Sequence, residues 1–318
     1  MPPRRVIGVD AGGTKLLGGV VDEHLVVHHR VHRTWRGDDV SETLEIFVEA
    51  VEEIRSAAPD VEAVGFGIPA LVDQDTGTSR WSTHLPLEGV PFRDLMSERL
   101  GLPVHVDNDA NVALLAEHRG GAAHDVRHAA MVLLGTGIGG GLLFDGRIYR
   151  GATGVGAELG HMVLDHHGPD CQGACPGRGC LEVLASGSAI GREGERLAGE
   201  RPESALGHRL ATGQEITGAI VTELAHDGDP AAREALAEIG RRLGAGLVSL
   251  VNALNPEVIV VGGGAIAAGE LLLQPAREVV SARALPPARE VVRIVPAHFG
   301  AESGMLGAAV LALDGGPR

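Results

Sequence analysis

Aromatic side chains are scarce in this chain: Phe, Trp and Tyr together make up 3% of its 318 residues. That leaves too few rings for stacking on nucleic-acid bases or for a flat, aromatic-rich partner surface. Cations are in deficit as well, with 27 Lys and Arg against 42 Asp and Glu and a formal net charge of −15. A nucleic-acid surface needs clustered cations to displace counterions from phosphates, so that class of partner is excluded. Any anionic ligand then has to be held locally, by backbone N–H groups or by a metal. No apolar run is as long as a membrane span, and Met1-Pro2-Pro3-Arg4-Arg5 leads straight into a strand-like segment without the apolar core or cleavage site of a secretion signal. The expectation is a cytoplasmic protein with neither nucleic acid nor membrane as partner. Cysteine is limited to 3 residues, an odd number poorly suited to a disulfide framework.

Glycine, by contrast, is abundant at 47 residues, beside a hydrophobic content of 44% that can furnish real cores. A chain of this length holds two domains or one large domain with a cleft. Residues 6–10 read as a strand, followed by the turn Asp10-Ala11-Gly12-Gly13-Thr14-Lys15, an apolar run at 16–21, and a third strand after Asp22-Glu23-His24. Residues 41–58 place Leu44, Phe47, Val48, Val51 and Ile54 on one helical face, with Ser41 as the expected N-cap. The same strand, turn, strand, hairpin order then recurs as Met131-Val132-Leu133-Leu134, the glycine turn 135–141, Leu142-Leu143-Phe144 and the hairpin dipeptide Asp145-Gly146. Such a duplication points to two related α/β lobes with a cleft between them. Further on, 231–254 is a long helical pattern stopped by Asn255-Pro256, the strand at 258–261 leads into Gly262-Gly263-Gly264, and 305–313 reads as a closing helix. The stretch 199–218 is polar and weakly patterned, and reads as a loop or short helices.

The glycine turns belong to neither common nucleotide motif. No G-x-x-x-x-G-K-[ST] is present, and a dinucleotide turn opens into a helix whereas both of these open into strands. Gly262-Gly263-Gly264-Ala265-Ile266-Ala267 matches the loose G-x-G-x-x-A spacing without the acidic residue expected downstream. A glycine turn inside a hairpin has another use: its N–H groups converge on an anion, and the missing side chains let phosphate approach. Between the two repeats, Val104-His105-Val106-Asp107 ends at Asn108-Asp109 and passes into the helical pattern of Val112, Leu115 and Ala116. A carboxylate at that strand-to-helix corner faces the positive end of the helix and stays ionised, which suits a general base; Asp109 reads equally well as a plain N-cap. The cysteines fall in Cys171-Gln172-Gly173-Ala174-Cys175-Pro176-Gly177-Arg178-Gly179-Cys180, a glycine-spaced loop able to fold thiolates inward, and His161 can complete a closed Cys₃His zinc tetrahedron.

Taken together, Asp10-Ala11-Gly12-Gly13-Thr14-Lys15, Asn108-Asp109-Ala110-Asn111, Leu134-Gly135-Thr136-Gly137-Ile138-Gly139-Gly140-Gly141 and Glu158-Leu159-Gly160-His161 make the chain resemble the ROK family of bacterial sugar kinases, within the hexokinase, actin and Hsp70 superfamily. The likeness runs over nearly the whole chain. It implies two duplicated ribonuclease H-like lobes, the actin-like ATPase fold, with an interlobe cleft: a small lobe of residues 1–109 and 297–318, and a large lobe of 110–296 with a zinc loop at 161–182. It implies an ATP-dependent hexose kinase acting on the 6-hydroxyl, with glucose as the expected sugar and N-acetylmannosamine, N-acetylglucosamine, fructose or allose as alternatives.

By the same resemblance Asp10 orients Mg²⁺ through water, while Gly12, Gly13, Thr14, Lys15, Thr136 and Gly137 hold phosphates and Gly262, Gly263 and Gly264 approach the adenosine. Asn108, Asp109, Glu158, His161 and Glu182 bind the sugar, and Asp109 is the base. A structural Zn²⁺ is implied on His161, Cys171, Cys175 and Cys180, with the other ring nitrogen of His161 turned to the sugar, and so is a homodimer. The chain departs from the family pattern in the three-residue gap between Cys171 and Cys175, which leaves His166 or His167 open as a substitute for Cys171. Pro176 replaces a usual glycine, Asp107 stands where Glu is frequent, and His84 where Asn is frequent near the sugar. A sugar-sensing ROK repressor is the second reading; the strand starting at residue 6 and the acidic charge speak against a DNA-binding domain. An actin- or Hsp70-type ATPase would need neither the Asn108-Asp109 corner nor the zinc loop.

Overall fold

The structure is a computed structural model that describes residues 3–82 and 85–316. The first sheet opens with an antiparallel meander of β1 (Arg5–Ala11), β2 (Lys15–Asp22) and β3 (Val27–Thr34). Helix α1 (Val40–Ala57) follows, and its cap is Asp39, in extended backbone, whose side chain accepts from the N–H of Glu42. Ser41, expected as the cap, already lies inside the first turn because Asp39 satisfies the orphan donor. β4 (Val64–Ile68) pairs parallel with β1. The short hairpin of β5 (Leu71–Asp73) and β6 (Thr78–Trp81) comes next, then α2 (Phe92–Leu100) and β7 (Val104–Asn108), which pairs parallel with β4. The sheet order is therefore β3-β2-β1-β4-β7. Its main core collects half of the chain's eight aromatics: Trp35 meets Phe47 edge-on at 4.9 Å between ring centroids, and Phe66 meets Phe92 at 5.2 Å.

After α3 (Asp109–Gly120), the second sheet repeats the plan with β8 (Ala129–Leu134), β9 (Ile138–Phe144) and β10 (Arg147–Ile148). A helical stretch then runs through α4 (Leu181–Ala185), α5 (Gly187–Glu200), α6 (Ala205–Ala211), α7 (Gly218–His226) and α8 (Pro230–Leu254). The long α8 has Asp229 as its cap, proline at its start and left-handed Asn255 at its end, so it carries both of the signals that delimit it in the sequence. β11 (Val258–Gly262), α9 (Glu270–Arg283), α10 (Ala288–Val291), β12 (Arg293–Pro296) and α11 (Ser303–Leu313) complete the fold. The order β10-β9-β8-β11-β12, with β11 parallel to both β8 and β12, matches the first sheet strand for strand. The glycine turn of this repeat is shorter than 135–141: β9 begins at Ile138, and Gly141 lies within the strand, where a Cβ would come within 3.0 Å of Ala110 O. Among the described residues no helix is long and apolar enough to cross a membrane.

Two compact units result. One comprises Met1–Arg127, Gly141–Ala157 and Ala297–Arg318; the other comprises His128–Gly140 and Glu158–Pro296. This division differs from the boundary at 109/110 implied by the resemblance, because α3 stays with the first unit. The reason is α11, which packs on β1 and β4 and along α3 with almost no spacing. A Cβ at Gly65 would lie 1.8 Å from Ala308 O, and one at Gly307 would lie 1.6 Å from Val112 O. Only glycine permits that approach, and it locks helix, sheet and helix into one body.

Candidate functional site

In the first unit the carboxyl ends of the parallel strands gather the polar residues, where open α/β sheets place their ligands. Asp10 ends the run opposite Gly67 of β4, and Asn108 lies opposite Ile68. Asn108 caps α3: its Oδ1 accepts from the N–H of Ala110 at 2.9 Å and of Asn111 at 3.4 Å, while its Nδ2 donates to Ala70 O at 3.4 Å. Asp109 is thus the first helical residue rather than the cap, and its half-buried carboxylate stands at the positive end of the helix. Burial pushes the Asp10 carboxyl up to about 7, and the charge of Asp109 adds to the rise. Gly304 at the start of α11 makes room for this group, since a Cβ there would be 2.3 Å from Asp10 Oδ2. Gly12, Gly13 and Thr14 form the β1–β2 turn, and among the described residues their N–H groups donate to no protein acceptor. Lys15, the only lysine of the chain, is exposed at the first position of β2.

Sequence reasoning missed how this corner is held. Asp107, noted only as a departure from Glu, is fully buried. Its Oδ1 accepts from Asn108 N at 2.8 Å, Asn111 Nδ2 at 3.0 Å and Gln74 Nε2 at 3.1 Å, and its Oδ2 takes Arg150 Nε at 2.8 Å and Nη2 at 2.7 Å. The available signal was an acid inside the strand, directly before the Asn108-Asp109 corner. His84 lies outside the described residues.

In the second unit, β8 and β11 run side by side in parallel, so their ends bring Gly135-Thr136-Gly137 next to Gly262-Gly263-Gly264. Gly263 has φ +84° and would clash with Leu134 if it carried a Cβ, which explains glycine there. Gly264 opens a short 3₁₀ turn, and α9 starts only at Glu270, unlike a dinucleotide turn. Ser188 Oγ and Gln172 Nε2 donate to Thr136 O, and Gly187 N donates to Gly135 O, so the turn is fixed from one side. The N–H groups of Thr136 and Gly137 donate to no protein acceptor among the described residues.

Glu182 links that turn to the cysteine loop. Its Oε2 accepts from Ile138 N at 2.8 Å, and its Oε1 lies 3.9 Å from Cys171 Sγ. One ligand atom from each of His161, Cys171, Cys175 and Cys180 falls within 4.8 Å of all the others. A zinc–sulfur bond of about 2.3 Å gives a tetrahedral edge of about 3.8 Å, so this soft N/S donor set fits a closed zinc site. His161 presents Nδ1 at 3.7 Å from Cys171 Sγ and turns Nε2 towards exposed Glu158, 3.9 Å from its Oε2. Burial, and then the neighbouring sulfurs, push the Cys171 thiol up to about 12. Three thiolates packed this closely call for a cation. His166 and His167 stack on each other instead of joining the cluster.

The model of the ROK family matches residues 6–315. The chain belongs to the ROK family. It is 34% identical over 312 residues to the glucokinase of Thermotoga maritima, covering 97% of both chains. Among solved structures it is similar to a ROK family glucokinase from Streptomyces griseus in complex with glucose and AMPPNP, with a TM-score of 0.88, 34% identity, and coverage of 98% of this chain and 99% of that one. It is also 29% identical to the xylose repressor of Caldicellulosiruptor bescii over 87% of this chain and 70% of that protein. The relatives of this chain thus include glucokinases and a xylose repressor.

Proposed function

We propose that this ROK protein is an ATP-dependent hexose kinase that phosphorylates the 6-hydroxyl of glucose. The observation that carries the reading is its full-length likeness to the Streptomyces griseus glucokinase, whose structure holds glucose and AMPPNP. Asp109 is the general base. It takes the proton of the 6-hydroxyl as that oxygen bonds to the γ-phosphorus, while the bond to the β–γ bridging oxygen breaks and ADP leaves. Asn108 has spent its Oδ1 on the helix cap and one Nδ2 hydrogen on Ala70 O, which leaves the second Nδ2 hydrogen to donate to a sugar oxygen. Glu182 keeps Oε1 for a sugar hydroxyl because Ile138 N–H occupies Oε2. Glu158 and the Nε2 of His161 complete the sugar contacts.

The unspent N–H groups of Gly12, Gly13 and Thr14, and of Thr136 and Gly137, suit phosphate oxygens, with Lys15 adding a charge. Gly262, Gly263 and Gly264 leave a side-chain-free surface for adenosine. Asp10, a hard oxygen donor crowded by a second carboxylate, fits water-mediated hold of Mg²⁺, which would neutralise phosphate charge. His161, Cys171, Cys175 and Cys180 would hold a structural Zn²⁺ that orients the His161 ring. A cytoplasmic homodimer is the form in which we expect it to act, by family likeness.

The test is ADP release with Mg-ATP across glucose, fructose, allose, mannose and the N-acetylhexosamines. Glucose should be turned over fastest, and Asp109→Asn should lower kcat by about 10²–10⁴-fold with the glucose KM nearly unchanged. Turnover that keeps its rate in Asp109→Asn removes the base from its role. The xylose repressor relative favours one other reading, a sugar sensor, and sugar binding without ADP release would establish that one instead.

A further inference from the structure

We propose that Arg150 is a positioning residue for the general base, acting through Asp107. This rests on the reading of Asp109 as that base. The Asp107 carboxylate is fully buried and the Arg150 side chain is only 10% exposed, so neither charge is shared with solvent. Five donors converge on the carboxylate, and they come from four separate segments of the chain. The backbone N–H of Asn108 belongs to the end of β7, Asn111 to the first turn of α3, Gln74 to the residue after β5, and Arg150 to the segment after β10. Asp109 lies between two of those anchor points. Arg150 is itself fixed at a third nitrogen, which donates to Ile148 O at 3.3 Å.

The amides show what the arrangement gives up. Gln74 and Asn111 both turn their N–H groups to the carboxylate, which leaves Gln74 Oε1 and Asn111 Oδ1 buried without a donor among the described residues. Orphan acceptors are rare in folded proteins because each carries a desolvation penalty. A buried ion pair used only for stability is readily replaced by apolar packing that leaves no such orphans. Here the carboxylate is bonded instead to the backbone N–H of Asn108, the residue before the base, and the geometry points to precision at Asp109 as the return. With Oδ1 held by Asn108, Asn111 and Gln74, the paired Nε and Nη2 of Arg150 pin Oδ2 by two directed charge-assisted bonds, which a single ammonium contact does not reproduce.

The experiment compares wild type, R150K, R150M and the neutral pair D107N/R150M by thermal melting and by steady-state kinetics with glucose and Mg-ATP. R150M strands a buried carboxylate, so it should lose thermal stability, and D107N/R150M should regain it. The positioning role predicts that the refolded pair variant still has kcat lowered by about 10–100-fold, with the KM for ATP within about twofold of wild type. R150K should keep the fold and lose about 3–10-fold in kcat, because it retains the charge without the fork. A pair variant or R150K that melts like wild type and also turns over like wild type overturns the proposal and leaves Arg150 as a structural partner only. Wild type that releases no ADP with any sugar overturns the kinase reading itself, an outcome separable from the first.

Discussion

Asp10 illustrates how a single residue at this site trades stability for chemistry. Its carboxyl lies under α11, next to Asp109, and is held at about 7, well above its ordinary value of 3.8. Burial is the larger cause, with the like charge of Asp109 second. For an acid whose folded pKa is raised, the native state binds the proton more tightly than the unfolded chain does. Its favourable contribution is therefore fully present below about 4 and is lost as pH rises through about 7. Asp10→Asn removes the charge without changing the shape. In nucleotide-free protein that variant should melt a few degrees above wild type at pH 8, with the gap closing towards pH 4. Thermal melts at the two pH values check this, and a gap independent of pH would show that Asp10 is not strained by its charge. The residue type was legible in the sequence, as an acid at the end of an apolar strand beside a glycine turn. Its strain was not, because Gly304 and Asp109 come from distant parts of the chain.

At the scale of elements, α11 shows what periodicity reveals and what it conceals. The run from Met305 to Leu313 is apolar on all sides and reads as a buried closing helix, and every residue from Ser303 to Leu313 is indeed buried. Which glycines it leans on cannot be read from the run itself, since the contacts are to Gly8 and Gly65 in strands far away in sequence. Similarly, the stop of α8 at Asn255-Pro256 was legible, while its start at Pro230 behind the Asp229 cap lies one residue before the pattern read from 231. The turn before β9 was not legible, because glycines in a turn and glycines in a strand look alike until a neighbour such as Ala110 is known. The hub at Asp107 escaped for the same reason, as its partner Arg150 is 43 residues away behind a hairpin. Two glycine-to-alanine changes separate these cases. Gly65→Ala drives a Cβ into the α11 backbone and should cost about 1–3 kcal/mol by chemical denaturation. Gly199→Ala adds a methyl to open space on α5 and should stabilise by up to about 1 kcal/mol, because helical glycine is entropically unfavourable. Equal effects at the two positions would mean that backbone entropy, and not the close contact, dominates at Gly65.

Across the whole molecule the two sheets share one strand order, yet only the second repeat carries a cysteine loop, inserted between β10 and α4. A duplicated unit can fold without such a loop, as the first repeat does, so the loop answers to something other than the sheet. Its attachment suggests what. Glu182 follows Cys180 by two residues and bonds the N–H of Ile138, directly after the Thr136-Gly137 turn. A metal that closes the four ligands around His161 and Cys180 therefore also braces the glycine turn of β8 and β9. The chain as purified should carry one zinc per polypeptide, and a strong chelator should lower its melting temperature, reversibly on adding zinc back. Hydrogen exchange reads the coupling directly. The amide of Ile138 should lose protection on chelation while amides of β1, in the other unit, keep theirs. Loss of zinc with an unchanged Ile138 amide would mean that the loop stabilises only itself, and that Glu182 holds the turn without help from the metal.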